Sequence, residues 1–114
     1  MEKAVQEKSF RFAVRVVKLC KFLQAEQKEF IMTRQLLRCG TSIGANVTEA
    51  QQAQSKKDFV SKMNIALKEA CETEYWLRLM YETDYLGGRA FQSIVLDCHE
   101  LQKILAAIVK TAKD

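Results

Sequence analysis

The residues best placed to do chemistry are four cations, Lys8, Arg11, Arg15 and Lys18, which follow one another at spacings of three, four and three. On a helix turning about 100° per residue they fall within an arc of roughly 80°. Lys21 flanks that arc, and Arg34 and Arg38 extend the cationic set into the next segment. Cations aligned in this way could track an RNA or DNA backbone, because each neutralised phosphate releases counterions and makes the affinity salt-dependent. The competing reading is a solvated helix face, or one paired with acids of the third helix across a bundle or subunit contact. A second row, Gln35, Arg38, Ser42, Asn46 and Glu49, lies near one face of the second helix beside its apolar face. Such groups need hydrogen-bond partners where they are buried, so they read as a polar seam between helices or subunits, with ligand binding as the alternative. Tyr75, Trp76, Tyr81 and Tyr85 could stack on bases or fill an oligomer interface, and their helical setting favours packing.

Other chemistries find no constellation. Di-iron bundles need Glu-x-x-His pairs projecting inward, yet the only histidine is His99 and the residue three before it is Leu96. Glu69, Glu72 and Glu74 then read as a solvated acidic face. His99 beside Glu100 lacks the shaped pocket and second positioned group that acid-base catalysis requires. Gly87-Gly88 has neither the spacing nor the lysine of a phosphate-binding loop. Cys20, Cys39, Cys71 and Cys98 are spread with no C-x-x-C pair, which suits reduced, buried thiols better than zinc or redox chemistry. No catalytic residue, metal or cofactor is expected, and the chain reads as a non-enzyme.

The elements that must carry these rows are helices. The chain has 114 residues, 48% of them hydrophobic and 28% charged, with no proline and four glycines. That is enough for one domain over 1–114, free to run in long helices. The start of the chain lacks the apolar core of a signal peptide and no apolar run approaches the ~18 residues of a membrane span, so a cytoplasmic protein with no membrane contact is expected. The formal net charge is +4, and residues 1 to 28 alone hold seven Lys or Arg against three acids.

Apolar spacing marks four segments. Helix 1, from about Lys8 to Ala25, places Phe12, Val16, Leu19 and Leu23 on one face, with Phe10, Val14 and Val17 alongside. Residues Glu26 to Glu29 turn the chain. Helix 2 runs from about Phe30 to Ala53, carrying Leu36, Ile43, Val47 and Ala50, with Gly40 and Gly44 one turn apart to permit close backbone approach or a bend. Ser55 and Asp58 have the form of a capping box that opens helix 3, whose row Phe59, Met63, Ala66, Ala70, Thr73, Leu77 and Met80 ends near Asp84. Leu86-Gly87-Gly88 makes the last turn, and helix 4 shows a strict three-four seam of Phe91, Ile94, Cys98, Leu101, Leu105, Ile108 and Ala112. Short connections between long helices predict an all-α, antiparallel up-and-down four-helix bundle.

The run Gln35-Leu36-Leu37-Arg38-Cys39-Gly40-Thr41-Ser42-Ile43-Gly44-Ala45-Asn46-Val47-Thr48-Glu49-Ala50 resembles the signature of bacterial four-helix-bundle proteins encoded in 23S rRNA intervening sequences. The resemblance continues through Ser55, Phe59 and Ile65-Ala66-Leu67-Lys68-Glu69-Ala70 to Glu74-Tyr75-Trp76-Leu77, and spans about Phe10 to Leu86. Many members carry Pro where this chain has Gly44, and Gly where it has Ala50, which bears on the bend of helix 2. The resemblance implies an antiparallel bundle and a homopentameric ring, without an established activity. It also reaches the accessory variability proteins of diversity-generating retroelements, basic pentamers that bind nucleic acid and associate with a reverse transcriptase. The functional expectation is therefore an oligomer that contacts RNA or DNA backbone through helix 1, and the alternative is a scaffold that holds a protein partner without touching nucleic acid.

Overall fold

Each helix boundary has a local cause. The computed structural model describes residues 2–113, the side chain of Glu2 excepted, and contains α1 (Glu2–Gln27), α2 (Ile31–Ala50), α3 (Lys56–Glu82) and α4 (Gly88–Lys113). α1 stops where Lys28 turns left-handed at φ 54°. Glu29 then folds its carboxylate over the start of α2, accepting hydrogen bonds from the amides of Ile31, Met32 and Thr33 at 3.1, 3.0 and 2.8 Å. These amides have no partner inside the helix, so a buried carboxylate is an effective cap for them.

The capping box at α3 forms, with one shift of register. Ser55 Oγ accepts from the amide of Asp58 at 3.0 Å, while the Asp58 carboxylate reaches back to the amide of Gln54 at 3.2 Å. After α3 the left-handed residue is Asp84, at φ 68°, and neither Gly87 nor Gly88 has a positive φ. The amides of Tyr85 and Leu86 close on the carbonyl of Met80. The glycines were the expected turn, but aspartate tolerates this conformation too. Gly88 instead becomes the first residue of α4, which begins before Phe91, just as α1 begins before Lys8 and buries Val5.

The helices alternate in direction and each packs on its chain neighbour, with α4 closing back onto α1. The result is 44 Å long and 20 by 19 Å across. Its core follows the expected rows: Phe12, Val16 and Leu23 of α1, Leu36, Ile43 and Val47 of α2, Met63, Ala66, Ala70, Leu77 and Met80 of α3, and Cys98, Leu101 and Leu105 of α4 are all buried. Thr73 sits in the α3 row without strain because its hydroxyl donates to the Glu69 carbonyl at 2.7 Å. α1 and α2 approach closely at the two glycines. A Cβ on Gly40 would lie 2.8 Å from Val16 Cγ1, and one on Gly44 would lie 3.3 Å from the Ser9 carbonyl oxygen. Close approach, with α2 unbroken from Ile31 to Ala50, is thus what the glycines serve.

Two expectations about burial need correction. Cys71 is exposed, unlike Cys20, Cys39 and Cys98. Phe10, Val14 and Val17 do not join the core and remain 70%, 38% and 38% exposed. Phe10 precedes the buried Phe12 by two residues, which turns it about 160° away around the helix.

Candidate functional site

The cationic row of α1 lies along the edge where α1 meets α4, the smallest of the four helix contacts. Lys8 Nζ is 3.0 Å from Glu100 Oε2, and Arg15 Nη1 is 2.7 Å from Asp97 Oδ2. Arg15 also donates to the carbonyl and hydroxyl oxygens of Ser93. Arg11 pairs with Glu7 one turn back at 3.5 Å. Among the described residues Lys18, Lys21 and Arg34 make no ion pair. The acids come from α4 and α1 rather than from the third helix, because an up-and-down bundle puts α1 beside α4 and diagonal to α3. Each exposed pair is worth about 0–1 kcal/mol. Their larger effect is on the local field: four cations face three carboxylates, leaving one charge along the row.

The second row runs along the edge between α2 and α3. Arg38 bridges Glu69, at 3.3 Å, and Glu72, and it also donates to Gln35 Oε1. The indole of Trp76 donates to the same Glu72 oxygen at 3.0 Å. Lys62 Nζ meets Glu49 Oε1 at 3.0 Å, and this contact raises the lysine pKa. Asn46 turns inward on its own helix, donating to the carbonyl and hydroxyl of Ser42 at 2.9 and 3.1 Å. This seam therefore joins two helices of one chain.

A third polar edge joins α3 to α4. Glu74 accepts from Gln102 at 2.9 Å and lies 3.1 Å from His99 Nε2. The hydrogen bonds from Gln102 and His99 hold its carboxyl below the usual range. Glu69, Glu72 and Glu74 are consequently partners in inter-helix contacts and not the solvated acidic face expected. Among the described residues no group of three or more His, Cys, Asp or Glu could hold a metal ion, and no helix is long and apolar enough to cross a membrane. Of the aromatics, Trp76 is half-buried with its N–H engaged, Tyr81 stacks on Phe91 at 4.5 Å between ring centroids, and Tyr75 sets its ring edgewise to Trp76. Tyr85 packs against the core.

The feature missed in the sequence is the outer face of α1. Phe10, Ala13, Val14 and Val17 line a shallow apolar strip that continues to Lys18 and Lys21. Beside it, Thr41, Ala45 and Thr48 of α2 complete a groove floored by Phe10, Ala13 and Gly44. The signal was present in the spacing: Phe10, Val14 and Val17 form a four-three row of their own, out of phase with Phe12, Val16 and Leu23. Leu96 on α4 and Tyr75 on α3 are further apolar side chains open to solvent, at 64% and 58% exposure.

Residues 1–107 match the family model described as 23S rRNA-intervening sequence protein. The chain is also similar to a crystal structure from Bacteroides thetaiotaomicron, described as a protein of unknown function from the S23 ribosomal protein family. The two are 56% identical over 96% of this chain and 97% of that one, with a TM-score of 0.94. No curated protein matches.

Proposed function

The chain belongs to the family of 23S rRNA-intervening sequence proteins, and on that footing we propose that it acts as a non-enzymatic bundle that assembles with copies of itself through the outer face of α1 and α2. The observation that carries this reading is the second apolar row of α1, Phe10, Val14 and Val17, pointing away from a core that is already filled. α1 and α2 side by side offer a face about 30 Å long and about 20 Å wide. That is comparable to the ~800 Å² per partner of a stable interface. Other exposed apolar side chains lie on both halves of the bundle: Phe22, Phe30 and Ile31 on or beside α1 and α2, and Ile65, Tyr75, Tyr81 and Leu96 on α3 and α4. Contact between the α1 and α2 face of one copy and the α3 and α4 half of the next would be heterologous, head-to-tail, and closes into a ring when the rotation allows. A ring of five is the closed form we propose.

The non-enzymatic reading rests on where the ionisable groups go. The clustered carboxylates and the single histidine are committed to caps and inter-helix pairs, and none converges on an enclosed cavity. Contact of the α1 row with RNA or DNA is left with less surplus charge than its spacing implied, because Lys8, Arg11 and Arg15 each face a carboxylate while Lys18, Lys21 and Arg34 make no ion pair among the described residues.

Light scattering after size exclusion, or native mass spectrometry, tests the assembly. A single multimer mass is expected from nanomolar to high micromolar concentration, and Phe10→Glu with Val17→Glu should give a monomer of unchanged helicity. A wild-type protein that stays monomeric throughout ends the proposal.

A further inference from the structure

The charge that the α1 row does not supply is found at one end of the molecule. The alternating helix directions bring together the first turns of α1 and α3 and the last turns of α2 and α4. Lys3, Lys56, Lys57, Lys110 and Lys113 all belong to those turns and all are exposed. At about 1.5 Å per residue each lies within about 5 Å of the end of its own helix, and the bundle is 20 by 19 Å across. None makes an ion pair among the described residues, and of the nearby acids whose side chains are described, Glu7 pairs with Arg11, Glu49 pairs with Lys62, and Asp58 accepts from the amide of Gln54. The opposite end holds exposed Glu26, Glu82 and Asp84 together with exposed Lys28, Arg34 and Arg89, none of which makes an ion pair among the described residues. The cationic excess therefore lies at the lysine-bearing end, while the opposite end is nearly balanced.

A second observation bears on what the lysines are for. Lys3, Lys56 and Lys57 occupy the first turns of their helices, where the helix dipole disfavours cations and favours anions. A sequence that breaks a local rule three times at one place marks a functional place more readily than a structural one. Ser55 caps the amide of Asp58, and the first amides of a helix, which lack a partner inside it, suit phosphate oxygens. A bound polyanion would satisfy the amides and relieve the lysine-dipole conflict together.

We propose that the lysine-bearing end of the bundle, Lys3, Lys56, Lys57, Lys110 and Lys113, binds the phosphodiester backbone of a nucleic acid without reading its sequence. The site is complete within one chain, so it stands whether or not copies assemble through α1 and α2. In a cyclic assembly every copy would turn this end to the same side, and the contacts would add as avidity.

The test is fluorescence anisotropy with a labelled duplex RNA of arbitrary sequence, titrated with the full-length protein across a salt series. Binding at low salt is expected, with log affinity falling against log salt by about 0.9 for each phosphate neutralised. Lys56→Gln with Lys57→Gln should lower that slope by about 2, and replacing all five lysines by Gln should weaken binding by about tenfold or more. A control carrying Lys8→Gln, Arg11→Gln and Arg15→Gln should bind like wild type. Circular dichroism of each variant confirms the fold, which exposed Lys→Gln changes leave intact. The Phe10→Glu and Val17→Glu protein separates the two proposals, since a monomer that still binds in a lysine-dependent way supports the site independently of assembly. Absence of binding at low salt, an unchanged affinity and slope in the five-lysine variant, or an equal loss in the α1-row control overturns the assignment.

Discussion

Glu29 shows how much one side chain can decide. Burial would raise its pKa, but the hydrogen bonds from the Met32, Thr33 and Ile31 amides and the Thr33 hydroxyl outweigh that and hold it below the usual carboxylate range. A carboxyl depressed in the folded state contributes stability above its unfolded pKa and loses it as pH falls through the folded value. Glu74 has the same sign, from Gln102 and His99. Glu29→Ala should cost about 1–2 kcal/mol at neutral pH, the range for losing a helix cap. Urea midpoints measured at descending pH should then show a smaller acid loss in the variant than in wild type. This cap was legible only in part. Glu29 sits in the expected turn, but the sequence marks no carboxylate one residue ahead of Phe30 as the partner of three amides. Lys28 in the left-handed region, which swings Glu29 into place, is not a residue type that announces that conformation.

At the scale of the element, α1 is a helix with two apolar faces. Phe12 and Phe10 differ by two positions, yet one is 2% exposed and the other 70%. Phe12→Ala should therefore lose about 3–5 kcal/mol of unfolding free energy through cavity formation. Phe10→Ala, measured in a Val17→Glu background at a concentration where that protein is monomeric, should fall within about 0.5 kcal/mol of its parent. Equal losses in denaturant titrations would show that Phe10 belongs to the core. The inner row was readable because Phe12, Val16 and Leu23 keep the helical period. The outer row has that period too, and nothing in one helix alone says which of two apolar rows the other three helices will cover. α3 had no such ambiguity, since Met63, Ala66, Ala70, Leu77 and Met80 form a single row, all of it buried.

For the whole molecule, the arrangement of edges sets which charges remain available. Three polar edges, α1 with α4, α2 with α3 and α3 with α4, engage Glu49, Glu69, Glu72, Glu74, Asp97 and Glu100, and five exposed lysines without an ion pair among the described residues come together at one end. The same enclosure protects the thiols. Burial pushes Cys20 and Cys98 up to about 12 and raises Cys39 as well, whereas Cys71 stands on the outer side of α3. A thiol reagent at neutral pH should thus label one cysteine rapidly in the folded protein and all four in denaturant. Loss of fast labelling in Cys71→Ser would assign it. Fast labelling of a second thiol would mean that the core opens on the reagent's timescale.

The sequence by itself determined the helices, their direction and the core, because those depend on periodicity and short connections that are local in the chain. Gly40 and Gly44 announced either a close approach or a bend, and only the packing of α1 on α2 decided for the approach. Tertiary structure alone decided the meaning of the charges. Lys8 and Glu100, Arg15 and Asp97, and Arg38 and Glu72 are far apart in the chain and meet only when the helices close into a square. Whether a cation is free is a property of what is folded beside it, and so the aligned row on α1 was nearly neutralised while scattered lysines from three helices gathered at one end.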